Sequence, residues 1–329
     1  MSQYNLTQKV VFSAQKTCSL WTPNDPACYA VPQSTLSKDV YGSKTDKATD
    51  EDHTRVRPRF LNSGVVVGTA KALHELFKEA SHRMEQDSTL RSPQRALSQI
   101  FGEQQVYREI VRRKQPKTWS QSVRGMLSTD PRQNLFKQEH IDLVNSRRVV
   151  PEFGIGLDYE SAIGFASDWA TNDVAWLTAQ DFSEMDKSNV QIVQPDIIST
   201  PPPFWTHAET GLDRNVPWDK VPILTNIRTG KSPVVIQHTG EKSLRETWWD
   251  KTWFHKSART LYTNHIHTPT GPLAVAGNGT SRAWWGSEDY KGGARNGSYA
   301  WFRYDDICAE TENEVLRDGK GRWVLPDDH

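Results

Sequence analysis

The spacing of hydrophobic residues changes several times along the chain, and each change marks an element. Lys9–Ala14, "KVVFSA", reads as a β-strand. From Pro23 to Pro58 the chain is rich in Ser, Thr, Asp and Lys and shows no hydrophobic period. Its central part, 30–57, is predicted to be an exposed, poorly ordered polar loop. The stretch 59–77, "RFLNSGVVVGTAKALHELF", changes character twice. Its valines predict a buried strand with Asn62, Ser63 and Gly64 at the entrance. After Gly68, Leu73, Leu76, Phe77, Ala80 and Met84 recur at helical spacing, with Lys71, Glu75 and Lys78 on the other face.

A polar break at 87–92 leads into "SPQRALSQIFGEQQVYREIVRRK". There Ser92 is a capping candidate and Pro93 suits a first helical position, while Gly102 interrupts the pattern. Residues 115–140 read as a polar insertion. Short strand-like pieces follow at 147–165 and at Val174–Leu177, and 195–222 is proline-rich and irregular. Residues 232–254 pass from strand through a turn into a helical pattern of Leu244, Trp248, Trp249 and Trp253. The Gly, Asn and Trp-rich chain beyond is unassigned. Strands alternating with helices predict an α/β fold.

Composition changes the picture in three places. Lys plus Arg equals Asp plus Glu at 40 each, so no global field recruits nucleic acid or an anionic membrane. Thirteen tryptophans are many for 329 residues; they fill an irregular core or, since indole stacks on sugar rings, serve a carbohydrate-related role. Cys18 and Cys28 flank a turn-rich loop, where a local disulfide and free buried thiols both remain open. The sequence carries neither a signal-peptide pattern nor a membrane span, and it reads as soluble.

Five blocks, in order, resemble the glycosyltransferase domain of the lysyl hydroxylases, one of the collagen hydroxylysine glycosyltransferases. "VVFSAQKTC" at 10–18 is similar to their Phe-Ser-Ala-Glu-x-x-Cys segment, and "RFLNSGVVVG" at 59–68 to their Leu-Asn-Ser-Gly block. "GEQQVY" at 102–107 resembles their Asp-Asp-Gln-x-x-Tyr helix start. "IGLDYESAIGFASDWATNDVAWL" at 155–177 resembles their Leu-Asp block, and "VVIQHTGEK" at 234–242 their His-x-Asn-Gly-x-x-Lys segment. The Leu-Asn-Ser-Gly block is the most specific.

The resemblance implies a GT-A-like, Rossmann-related glycosyltransferase fold over 1–255, with a Trp-rich C-terminal extension at 256–329. It implies a UDP-sugar donor, an unidentified acceptor and manganese (Mn2+). Asn62, Ser63, Gly64 and Lys242 would then hold the donor. Physically, an amide, a hydroxyl and an open glycine suit sugar hydroxyls, although a capped turn before a strand explains the first three as well. Glu103 and Asp158 would serve catalysis. A helix-surface role for Glu103 and a turn-capping role for Asp158 are the alternatives.

Departures from the family pattern qualify this reading. The family's Asp-x-Asp metal motif lies before the Phe-Ser-Ala block, where this sequence offers only eleven residues. Asp50-Glu51-Asp52 fits the motif's letters but reads as a solvated charge run. Gln237 stands where the family has its metal histidine, leaving His238 as the candidate ligand. The expectation is therefore a glycosyltransferase-like chain incomplete for catalysis. The alternative is a non-catalytic module that binds a glycan or a protein. If an upstream signal anchor was lost, the secretory pathway or Golgi lumen would be its location. No Gly-x-Ser-x-Gly or His-Glu-x-x-His motif supports a hydrolase.

Overall fold

A computed structural model describes residues 8–18, 20–42, 52–114, 136–181, 196–199, 217–241, 243–255, 258, 274–276, 282–284 and 311. The fold is mixed α/β with small sheets. Contacts divide the chain into two units. The first comprises 1–175, 191–196 and 224–242, and the second 176–190, 197–223 and 243–329. This differs from a boundary at 255, because the helical segment after 242 groups with the C-terminal part. In the second unit, α6 (Leu244–Trp249) is followed by Trp253, whose ring meets Trp218 edge-on at 5.6 Å. Strands β8 (Ala274–Ala276) and β9 (Arg282–Trp284) form an antiparallel pair. Among the described residues no helix is long and apolar enough to cross a membrane.

The first unit is built around β1 (Val10–Gln15). It lies between β2 (Phe60–Gly68), antiparallel, and β3 (Ile155–Asp158), parallel. Val10, Phe12 and Ala14 alternate along β1 and join one core with Leu61, Ile155 and Leu157. Two helices complete that core. α2 (Ala70–Gln86) contributes Ala72, Leu76 and Ala80, and α3 (Pro93–Lys114) contributes Ala96, Leu97, Ile100 and Phe101. Thr69 caps α2 by accepting the Ala72 amide, so the change of period after Gly68 is a true element boundary.

Two expectations are corrected here. Strand β2 starts at Phe60, so Asn62–Gly64 lie inside it and not at its entrance. The pairing jumps from Phe12–Val66 to Ser13–Asn62, which leaves 63–65 as a bulge. Gly102 does not interrupt α3. It is the point where α1 (Pro26–Tyr29) crosses, and a Cβ there would come within 2.4 Å of Pro26 and Ala27 backbone atoms.

After α4 (Gln138–Ser146), β3 is pinned by Gln104 of α3. The Gln104 amide accepts from Phe153 and Ile155 N–H and donates to the Ile155 carbonyl, acting as one more rung of the sheet. A tight turn leads to β4 (Gly164–Ala166), which pairs in parallel with β7 (Val235–Gln237). Strands β5 (Val174–Leu177) and β6 (Ile223–Asn226) complete the list of short strands between them, and a single helical turn, α5 (Asp196–Ser199), precedes β6. The segment 30–57 is only partly described, since 43–51 lie outside the described residues. Its described ends are not an exposed loop. Val31, Ser34 and Arg57 are buried, and Arg57 donates to the Ser34 and Leu36 carbonyls.

Candidate functional site

Three strand ends place polar residues together. β1 runs into Lys16 and Thr17, β4 into Ser167, Asp168 and Trp169, and β7 into His238, Thr239 and Gly240. The turns after β4 and β7 are stitched reciprocally. Ser167 Oγ donates to the Thr239 carbonyl at 2.8 Å and accepts the Thr239 amide at 3.0 Å, while the Asp168 amide donates to Thr239 Oγ1 at 3.0 Å. Thr17 Oγ1 donates to Asp168 Oδ2 at 3.4 Å, so the carboxylate also touches the end of β1. Gly240, at φ +71°, passes so near that a Cβ would lie 2.7 Å from Asp168 Oδ1.

A groove of about 570 Å³ opens at this point, lined by Lys16, Thr17, Trp21, Arg57, Asp168 and Trp169 among others. Its volume lies in the range of small-molecule sites, and it sits beyond carboxyl ends of strands, where α/β proteins commonly place ligands. Trp169 has φ +58°, a backbone region costly for a bulky side chain. It is 38 % exposed, with its ring edge-on to His53 at 5.1 Å. Cys18 and Cys28, open in the sequence, are joined in a disulfide whose two cysteines line the groove with Trp21 and Pro23 of the loop between them.

Beneath the groove, Lys16 and Asp173 form a buried ion pair at 2.7 Å. Asp173 Oδ2 also accepts the Tyr41 hydroxyl at 2.7 Å, and Lys16 lies 4.4 Å above the Tyr41 ring and donates to the Thr54 carbonyl. Burial raises the Asp173 carboxyl above its ordinary range, opposed by Lys16, Tyr41 and Arg228. Burial likewise lowers Lys16, opposed chiefly by Asp173.

None of the described site residues singled out from the sequence lines the groove. Asn62 is buried and hydrogen-bonded within the sheet: its Oδ1 accepts from Ser13 Oγ and the Gly64 amide, and its Nδ2 donates to Gln15. The Ser63 amide donates to Gln94. None of Asn62, Ser63 and Gly64 lines the groove. Glu103 is not on a helix surface; it is 1 % exposed and held by Arg83 and Arg147. The Asp158 carboxylate accepts the backbone N–H groups of Ala162, Ile163 and Gly164 and so caps the turn between β3 and β4. Lys242 lies outside the described residues.

One expected meeting does occur, between the blocks around Gly64 and Gln237. The Gln237 amide lies directly over Gly64, in space that a Cβ there would fill. His238, the expected metal ligand, directly follows the last residue of β7. Among the described residues no three His, Cys, Asp or Glu side chains converge as a ligand set for a manganese ion. Asp168 and Trp169, which sequence reasoning passed over, stand inside the block "GFASDWATND". Their signal was a polar–aromatic pair just past a short apolar strand. A comparison of the chain with protein-family models, curated proteins and solved structures found no match.

Proposed function

We propose that this chain is a carbohydrate-binding α/β protein on a glycosyltransferase-like, GT-A-related plan, and that the groove beside Asp168 and Trp169 takes a sugar ring. The observation that carries this reading is Trp169, a strained aromatic held half-exposed in the groove next to a fixed carboxylate. An indole face packs against the C–H face of a pyranose, and a carboxylate accepts from its hydroxyls. Binding is favoured over transfer because both carboxylates expected to serve catalysis are engaged, Glu103 by two arginines and Asp158 by three amides. The disulfide suits an oxidising compartment, in keeping with a secretory location.

A second reading keeps the UDP-sugar transferase. It is favoured by the packing of Gln237 over Gly64, which joins two blocks that the resemblance sets beside the donor. One calorimetric experiment separates the two. The chain is titrated with neutral oligosaccharides and with UDP-sugars, each with and without Mn2+. Saturable, manganese-independent oligosaccharide binding that Trp169→Ala weakens roughly tenfold or more is expected. UDP release in the presence of Mn2+ would favour the transferase. No saccharide binding of any kind would remove the first reading.

A further inference from the structure

We infer that the groove takes a run of at least two neutral sugar rings, with Trp21 as a second aromatic platform that selects an oligosaccharide over a single sugar. This rests on the carbohydrate reading of the groove and names the kind of saccharide that fits it.

The geometry gathers two indoles around one carboxylate. Thr17 Oγ1 donates to Asp168 Oδ2, and each partner of that bond leads to a tryptophan. Trp169 directly follows Asp168. On the other strand, the Trp21 amide donates to the carbonyl of Cys18, the residue after Thr17. Both side chains line the groove, so both indoles lie within a few residues of the place where a sugar hydroxyl would meet Asp168. At about 570 Å³ the groove also exceeds what one pyranose ring fills.

Trp21 is held as a platform before any ligand arrives. It is partly buried, it packs against the core formed by β1, α2 and α3, and the Arg95 guanidinium lies 4.4 Å from its ring centre. A side chain fixed in this way loses little freedom on binding, while its indole still offers a large apolar area to the C–H groups of a sugar. The rest of the lining suits the same ligand. Pro23 and the disulfide are apolar, and the exposed Gln33 carries an amide donor and acceptor for hydroxyl groups.

The charges in the groove favour a neutral chain. Lys16 is paired with Asp173, Arg57 donates to the Ser34 and Leu36 carbonyls, and Arg59 donates to the Val31 carbonyl. These cations are engaged by acceptors of the protein itself. Asp168 is the lone carboxylate among the described lining residues, and a uronic acid brought against it would set like charges together.

The test is an NMR titration of the full chain with glucose, galactose, mannose and N-acetylglucosamine, each as the free sugar and as its oligomers of two and four rings. In the series that binds, two rings are expected to bind about tenfold more tightly than one. Trp21→Leu keeps an apolar side chain against the core and is expected to bring that ratio close to one. Trp21→Tyr keeps a flat ring and is expected to retain most of it. The uronic acid counterpart of the dimer that binds is expected to bind less tightly; equal or tighter binding would overturn the neutral class. Three results would overturn the second platform while leaving the carbohydrate reading in place. They are one ring bound as tightly as two, equal weakening of both by Trp21→Leu, and a ratio lost in Trp21→Tyr as fully as in Trp21→Leu. No binding in any series would instead remove the carbohydrate reading, and this inference with it.

Discussion

Trp169 occupies left-handed backbone, where the Cβ of an L-residue crowds the neighbouring carbonyl at a cost of about 1–2 kcal/mol. Its surroundings enforce the conformation. Asp168 on one side is bonded to Thr239 and Thr17, and on the other side the Ala170 amide donates to the Ser167 carbonyl. The usual order of substitution should therefore invert. Glycine is ordinarily the less stabilising choice, yet Trp169→Gly should exceed Trp169→Ala in stability by about 1 kcal/mol, because only glycine accepts a positive φ freely. Both variants lose the indole and its edge-on contact with His53, so their difference isolates the backbone. Urea unfolding of the two variants measures it. Alanine as the more stable variant would mean that the turn relaxes to ordinary backbone once the indole is gone, and that the indole itself imposes the strain.

Elements built on a hydrophobic period were legible in the sequence: β1, the passage from β2 into α2, and α3 from Pro93. The bulge in β2 was not, because a strand's period says nothing about what its partner skips. Asn62-Ser63-Gly64 therefore read as a ligand-facing triplet, when Asn62 in fact closes the bulge by bonding Ser13 and Gly64. Glu103 and Gln104 were marked by their block, but their partners Arg83, Arg147 and Ile155 lie far away in sequence, and only the fold joins them. Lys16 and Asp173 illustrate the same limit, with a testable consequence. Their pair links the end of β1 to the turn before β5 and to Tyr41 and Thr54.

Burial dominates both shifts, raising Asp173 from its ordinary 3.8 and lowering Lys16 from its ordinary 10.5. Between 3.8 and its folded value, Asp173 keeps a proton that the unfolded chain has released. Its contribution to stability therefore falls as pH rises through that window. The double variant Lys16→Met/Asp173→Leu removes both titrations. Wild type should lose stability relative to the double variant as pH rises from about 4, and at neutral pH the double variant should be at least as stable. Lys16→Met alone should cost about 3–5 kcal/mol, because it strands a buried carboxylate. Thermal unfolding across the pH range decides this. A wild type that gains on the double variant as pH rises would show that attraction within the pair outweighs its burial.

At the scale of the first unit, the disulfide connects stability to the groove. Cys18 follows β1 and Cys28 sits in α1, which crosses α3 at Gly102, so the bond ties the end of the central strand to the helical layer. The loop it closes carries Trp21 and Pro23 into the groove wall, and Trp21 is further held by Arg95 of α3, whose guanidinium lies 4.4 Å from the ring centre. Inside the loop, Asp25 accepts the Thr22 amide and hydroxyl, a turn that survives reduction but anchors only its own residues. Closing a loop of this length typically stabilises a chain by about 2–4 kcal/mol through the unfolded state. Cys18→Ser/Cys28→Ser should therefore unfold at lower urea by an amount in that range. The core of β1, α2 and α3 does not pass through the bond, so the far-ultraviolet circular dichroism of the folded variant should match wild type. Saccharide binding should weaken more than global stability alone explains, since the wall bearing Trp21 loses its covalent tether while Asp168 and Trp169 keep theirs through β4 and β7. Measuring saccharide affinity well below the unfolding transition separates the two effects. Unchanged affinity in a destabilised variant would show that the Arg95–Trp21 contact and the packing of α1 on α3 are enough to hold the groove open.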